Sequence, residues 1–228
     1  MRSLSHAAGR FLSRLPGGNW CLNRAAGGHD LRCSPIFMLH RVLPDSTSVY
    51  DREMAVSTFG FEQLLAWLRE HYEVVRLGDL LGEQMNRGKP LCALTFDDGW
   101  CDTYTEAFPR LQRWGMPATV FLPLHFIGTD RRFWQESLFF HLRQLRVRSD
   151  AAAQLQQIAA EFAWCPLLSS DDLHYGRLSR RLRRRASSEA EAFVARLGES
   201  AGRSLELVGR AFMNWDEVRT MQRAGIEF

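Results

Sequence analysis

From Pro35 onward, short apolar runs alternate with stretches of helical periodicity, the pattern of strands and helices taken in turn around a largely parallel sheet. Strands are expected at 36–42, 74–77, 91–96 and 118–122. Between the first two, Phe61, Leu64, Leu65 and Leu68 fall at i, i+3, i+4 and i+7, one face of a helix capped by Ser57 or Thr58. Leu80, Leu81 and Met85 suggest a shorter helix. A further one is expected over 104–114, interrupted or bent at Pro109.

After Gly128 the periodicity turns helical for a long stretch. Leu138, Leu142 and Leu145 form one stripe, Leu155, Ile158 and Phe162 a second, and Phe193, Val194 and Leu197 a third. This block, about 133–212, reads as a helical insertion. Near the end, Asn214 with Glu217 three residues on is a helix-start signature, Trp215, Val218 and Met221 follow at helical spacing, and Gly225 stands where a helix stops. Ile226-Glu227-Phe228 then opens like a new strand.

Composition narrows the class. At 228 residues with 46% hydrophobic and 24% charged content, the chain can bury a sizeable core, which rules out wholesale disorder and fibrous classes. No stretch reaches the roughly 18 to 20 apolar residues of a spanning helix. The five cysteines are odd in number and form no C-x-x-C pair, so a disulfide scaffold or zinc knuckle is not expected. Residues 1–34 are Arg- and Gly-rich and lack the apolar core of a secretory signal; they read as a poorly ordered basic arm that could touch a membrane surface through Phe11, Leu12 and Leu15. That absence favours a cytoplasmic or membrane-peripheral location.

The net charge is only +3, yet six arginines and no acid crowd into 177–185. That run could grip phosphates, or could be a solvated helix face. No aromatic residues interleave with it to stack bases, so nucleic acid is not an expected partner. Lys89 is the single lysine among 29 basic residues, a chain-wide Arg bias that resembles a GC-rich genome more than a phosphate-reading surface.

The chemistry concentrates in Leu91-Cys-Ala-Leu-Thr-Phe-Asp97-Asp98-Gly99-Trp100. An apolar strand delivers two adjacent carboxylates to its C-terminal end, where α/β folds assemble their sites. Adjacent carboxylates repel, so a cation or a shared proton is the natural neutraliser. An Asp-Asp-Gly turn with no further role is the plainer alternative. His40, at the end of the first strand, could point into the cleft or hydrogen-bond within the sheet. Cys92 reads as a buried strand residue, and nothing near Cys101 argues for a nucleophile.

Thr95-Phe-Asp-Asp-Gly99 resembles the first motif of the polysaccharide deacetylases, the NodB-type carbohydrate esterases. Its surroundings are similar too: Ile36-Phe-Met-Leu-His-Arg-Val42 with Leu39 where Tyr is usual, Phe61-Glu-Gln-Leu64 followed by Tyr72-Glu-Val-Val-Arg-Leu77, Ala107-Phe-Pro-Arg-Leu111, Pro117-Ala-Thr-Val-Phe-Leu122, and Asn214-Trp-Asp-Glu217 with Ala224-Gly-Ile-Glu-Phe228.

The resemblance implies an α/β fold, a distorted (β/α) barrel incomplete at its C-terminus, spanning 35–228. It implies removal of N-acetyl (or O-acetyl) groups from a glycan such as an N-acetylated sugar polymer or a lipid-linked sugar, with Asp97 as general base and Asp98 as ligand of a divalent metal, commonly zinc. His40 would be a substrate-binding residue. The family's His-x-x-x-His metal pair, its Arg-containing motif and its late histidine are absent: no two histidines here lie four apart, and none follows His174. The chain therefore reads as an amino-terminal portion of such an enzyme, expected to be inactive by itself. The alternatives are a truncated or degenerate carbohydrate-binding protein and a magnesium-dependent phosphoryl-transfer enzyme. The latter is disfavoured because the acids are adjacent and the only lysine precedes them.

Overall fold

The computed structural model describes residues 34–44, 54–81, 88–164, 173–202 and 209–228. They divide into two compact units, one holding the chain up to Asp130 together with Arg210–Phe228, the other holding Arg131–Gly209. The basic arm, Met85 and the cysteines Cys21, Cys33 and Cys165 lie outside the described residues.

In the first unit, β1 (Ile36–Leu39), β2 (Arg41–Leu43), β3 (Ala55–Ser57), β4 (Glu73–Val75), β5 (Leu91–Phe96) and β6 (Thr119–Val120) are all paired in parallel. β5 is the centre. β1 runs along one side of it in the register Ile36↔Ala93 to Leu39↔Phe96, while β4 covers the first half of the other side and β6 the second half. Every β5 residue is buried, which explains why the segment is one continuous apolar run with no alternation. Glu227 adds a parallel bridge to Thr119 beyond β6. The result is α/β architecture with an open parallel sheet, the form of an incomplete barrel.

The single strand expected over 36–42 is two. The chain breaks at His40, because β2 leaves the central sheet to pair with β3. The strands at 74–77 and 118–122 are shorter than expected, and the helix expected at Leu80 is a single 3-10 turn, Gly78–Leu81.

Helix α1 (Thr58–His71) starts as its sequence implies, with Ser57 accepting a hydrogen bond from Gly60 N at 3.0 Å, a cap worth about 1 kcal/mol. Its inward stripe, Phe61, Leu64, Leu65 and Leu68, is fully buried. The helix foreseen over 104–114 begins as a widened π turn, Thr103–Ala107, and becomes α2 (Phe108–Trp114). Pro109 has no N–H and would press on the carbonyl four residues back; the widened turn lies just where that clash would fall. Gly115, at φ 60, ends α2 in the left-handed conformation.

The second unit is helical: α3 (Trp134–Leu145), α4 (Ala151–Ala160), α5 (Tyr175–Leu182) and α6 (Ser187–Ala201). The three apolar stripes meet in one core, joined by Leu178 and Leu182, with Phe162 and Trp164 packed against it. Among the described residues no helix is long and apolar enough to cross a membrane.

In the first unit again, α7 (Trp215–Arg223) opens with a full capping box: Asn214 Oδ1 accepts from Glu217 N at 2.9 Å and Glu217 Oε2 accepts from Asn214 N at 2.7 Å.

Candidate active site

The site forms where β5 ends. Asp97 N donates to the Leu39 carbonyl at 2.9 Å, carrying the β1–β5 ladder one residue past the strand. The backbone then turns sharply: Asp98 has φ 72 and Gly99 φ 57. Asp98 is the one non-glycine residue with positive φ among the described residues. Gly99 is required twice over, since an added Cβ would also stand 2.6 Å from Leu122 Cδ2.

Both carboxylates border an open cleft of about 580 Å³ whose wall includes Thr95, Ile36, Met38, Phe121 and Leu122. Ile36 and Met38 reach it because β1 alternates, turning Phe37 and Leu39 into the packed side and leaving the other two half-exposed. His40 shares the face of Ile36 and Met38, and its Nε2 stands 4.0 Å from Asp97 Oδ2. That is too long for a hydrogen bond, so His40 stands beside Asp97 without bonding to it. The fold thus brings Asp97, Asp98 and His40 together.

Burial pushes the Asp98 carboxyl above its ordinary value, and the neighbouring Asp97 carboxylate adds to that; His40, a hydrogen bond from Trp100 Nε1 at 3.2 Å and Arg41 oppose it. A carboxylate held this way gains from a nearby cation. Behind it stands a support the sequence pattern did not single out. The Arg41 guanidinium lies 4.3 Å over the Trp100 ring and pairs with Asp102 at 2.8 Å from Nη2 and 2.9 Å from Nε. Asp102 also accepts from Val42 N at 2.9 Å. It is buried, and that burial drives its carboxyl upward against the pull of Arg41. Trp100 in turn stacks on Phe212 at 4.7 Å. The available signal was Arg41 directly after His40 and an acid soon after the Asp pair, but 61 residues separate these partners.

The remaining candidates lie elsewhere. His125 is exposed, and His71 Nδ1 lies 2.8 Å from the Trp67 carbonyl. Burial pushes the Cys92 thiol up to about 12 and Cys101 to about 11, and Cys101 Sγ donates to the Phe212 carbonyl, so both are inert.

Among the described residues no three metal-binding side chains converge, against the three protein ligands typical of catalytic zinc. Asp97, Asp98 and His40 alone therefore do not make up a zinc centre.

Residues 84–160 match the polysaccharide deacetylase family. The Bacillus subtilis (strain 168) protein YxkH, named for the same family, is 30% identical over 108 residues, 46% of this chain and 37% of its own length. The poly-beta-1,6-N-acetyl-D-glucosamine N-deacetylase of Escherichia coli (strain K12) is 42% identical over 72 residues, 29% of this chain and 11% of its own. Among solved structures, IcaB from Ammonifex degensii is 26% identical with a TM-score of 0.37, covering 46% of this chain and 47% of that one. The chain thus spans about a third or less of the length of these curated relatives.

Proposed function

The chain belongs to the polysaccharide deacetylase family, and from that premise we propose that it carries the acid half of a site that removes acetyl groups from an N-acetylated glycan. The observation that carries the reading is the pair Asp97 and Asp98 presented side by side at the end of β5 on an open cleft, with His40 Nε2 4.0 Å from Asp97.

In this reading Asp97, whose side chain is 32% exposed, accepts the proton of a water that attacks the acetamide carbonyl carbon. A C–O bond forms, the C–N bond breaks and the departing amine takes a proton from solvent, leaving acetate and a free amino sugar, with His40 as a substrate-binding residue beside the acids. Asp98 is the one carboxylate ligand offered to a divalent cation, commonly zinc in the family, and Arg41, Trp100 and Asp102 hold it in place. Because the E. coli relative is named for poly-β-1,6-N-acetyl-D-glucosamine, a β-linked N-acetylglucosamine polymer is the substrate class to try first.

Two measurements test this. The 228-residue chain is expected to bind zinc weakly and release no acetate from N-acetylglucosamine oligomers, since no His-x-x-x-His pair occurs in it; stoichiometric zinc retained after dialysis overturns the half-site assignment. The same chain fused after Phe228 to a segment bearing that pair is expected to release acetate, and to lose the activity with Asp97→Asn or Asp98→Asn. A metal-loaded fusion that hydrolyses nothing refutes the deacetylase reading and favours a carbohydrate-binding role.

A further inference from the structure

The arginines of 177–185 become a defined surface in the second unit. α5 turns Leu178, Ser179 and Leu182 into the buried core. Arg177, Arg180 and Arg181 follow at i, i+3 and i+4, which places them together on the opposite side, where all are exposed, and Arg184 is exposed in the turn that follows. Arg183 and Arg185, also exposed, extend the surface past the end of the helix.

Local stability does not account for this arrangement. Like charges three and four positions apart on a helix repel. The arginines of the last turn, Arg180 and Arg181, gain only a small term from the helix dipole. Other arginines of the same unit are matched to acids: Arg132 to Glu136 at 2.9 Å, Arg148 to Asp150 at 3.0 Å and Arg196 to Glu161 at 2.8 Å. Among the described residues no carboxylate pairs with Arg180, Arg183 or Arg184. The apolar side of α5 is already spent on the core, which leaves Arg180, with Arg183 and Arg184 after the helix, turned to solvent.

We propose that this face docks the protein on an anionic phospholipid surface. The guanidinium fork matches phosphate oxygens, and a single convex helix meets a plane of headgroups without needing a groove. Stacked bases would need aromatic residues between the arginines, and the face has none. Beside the patch, the Arg185 guanidinium lies 5.2 Å over the indole of Trp164, which itself packs on the core of the unit.

The test is cosedimentation of the full chain with vesicles of phosphatidylglycerol and phosphatidylcholine against vesicles of phosphatidylcholine alone. Binding is expected to the anionic vesicles only, and to weaken steeply as salt is raised. Arg180→Glu, Arg183→Glu and Arg184→Glu together are expected to lower it by more than roughly 100-fold, since loss of three cations near an anionic surface alone accounts for about that much. Arg196→Gln, which lies outside the patch, is expected to leave it unchanged. If the charge reversals unfold the chain by circular dichroism, the three Arg→Gln changes are read in their place, with a smaller loss expected. Vesicle binding that survives both triple variants assigns attachment to other basic residues, such as those of 1–34, and overturns the proposal. So does tight binding to duplex DNA or heparin with none to anionic vesicles.

Discussion

Asp98 stands at φ 72, a left-handed conformation that most side chains with a Cβ avoid and that Asp enters at a smaller cost, and it holds a carboxyl that burial opposes. Each is a cost, and the two fall on one residue beside the cleft, as strain and unfavourable charge do at sites selected for chemistry over stability. Asn tolerates the left-handed region as Asp does, keeps an acceptor for Trp100 Nε1 and carries no charge. Asp98→Asn is therefore expected to be at least as stable as the natural chain in urea denaturation, whereas Asp98→Val should lose about 2 kcal/mol from backbone strain alone. Asp102 behaves in the opposite way. Asp102→Ala would strand the buried Val42 N–H and leave Arg41 without its partner, a loss of about 3 kcal/mol or more, read as a lower urea midpoint.

At the scale of single elements, the second unit is held by a close approach. A Cβ on Gly198 of α6 would stand 2.7 Å from Nε2 of His141 on α3, and the ring has little freedom to retreat because its Nδ1 is buried. Gly198→Ala gains helix propensity of up to about 1 kcal/mol, yet the overlap is expected to outweigh it and lower stability by about 1–3 kcal/mol. Pairing it with His141→Ala should abolish the overlap part of the loss, which a double-mutant cycle in urea would resolve.

Burial holds the His141 imidazole below its ordinary value of 6.5. The unfolded chain then takes up a proton there more readily than the folded one. The contribution is intact above pH 6.5 and declines as the pH falls through the window beneath it. His141→Gln should flatten that decline in thermal melts taken between neutral and mildly acidic pH.

Elements were legible in the sequence where local chemistry decides them. Leu91–Phe96 is buried on both faces, and Asn214 with Glu217 closes a capping box from residues three apart. The break at His40 was not legible, because the run from Ile36 to Val42 holds no Gly or Pro to mark an end and only the pairing of β2 with β3 splits it. In the candidate site the acid pair was legible for the same local reason, while the Arg41–Asp102 support depends on tertiary pairing that no spacing encodes.

For the molecule as a whole, the division at Asp130 and Arg210 carries a consequence for how the chain can be cut. Within the first unit the two segments flanking the helical block are already tied, Gly128 N donating to the Met213 carbonyl at 2.9 Å and Met213 N to the Gly99 carbonyl at 2.9 Å. Within the second unit its own ends are tied as well, with Arg132 Nη2 donating to the Gly209 carbonyl at 2.7 Å. A segment whose ends lie together can be removed without stretching what remains. The residues that complete the acid turn come from both sides of the block: Phe212 bridges to Trp100, and the Phe212 carbonyl takes the Cys101 thiol. Replacing 131–209 by a few Gly and Ser residues is therefore expected to leave a first unit that unfolds cooperatively and keeps the near-ultraviolet signal of Trp100 stacked on Phe212. Loss of that signal, with strand content retained, would mean that the helical block is needed to hold Phe212 against the acid turn.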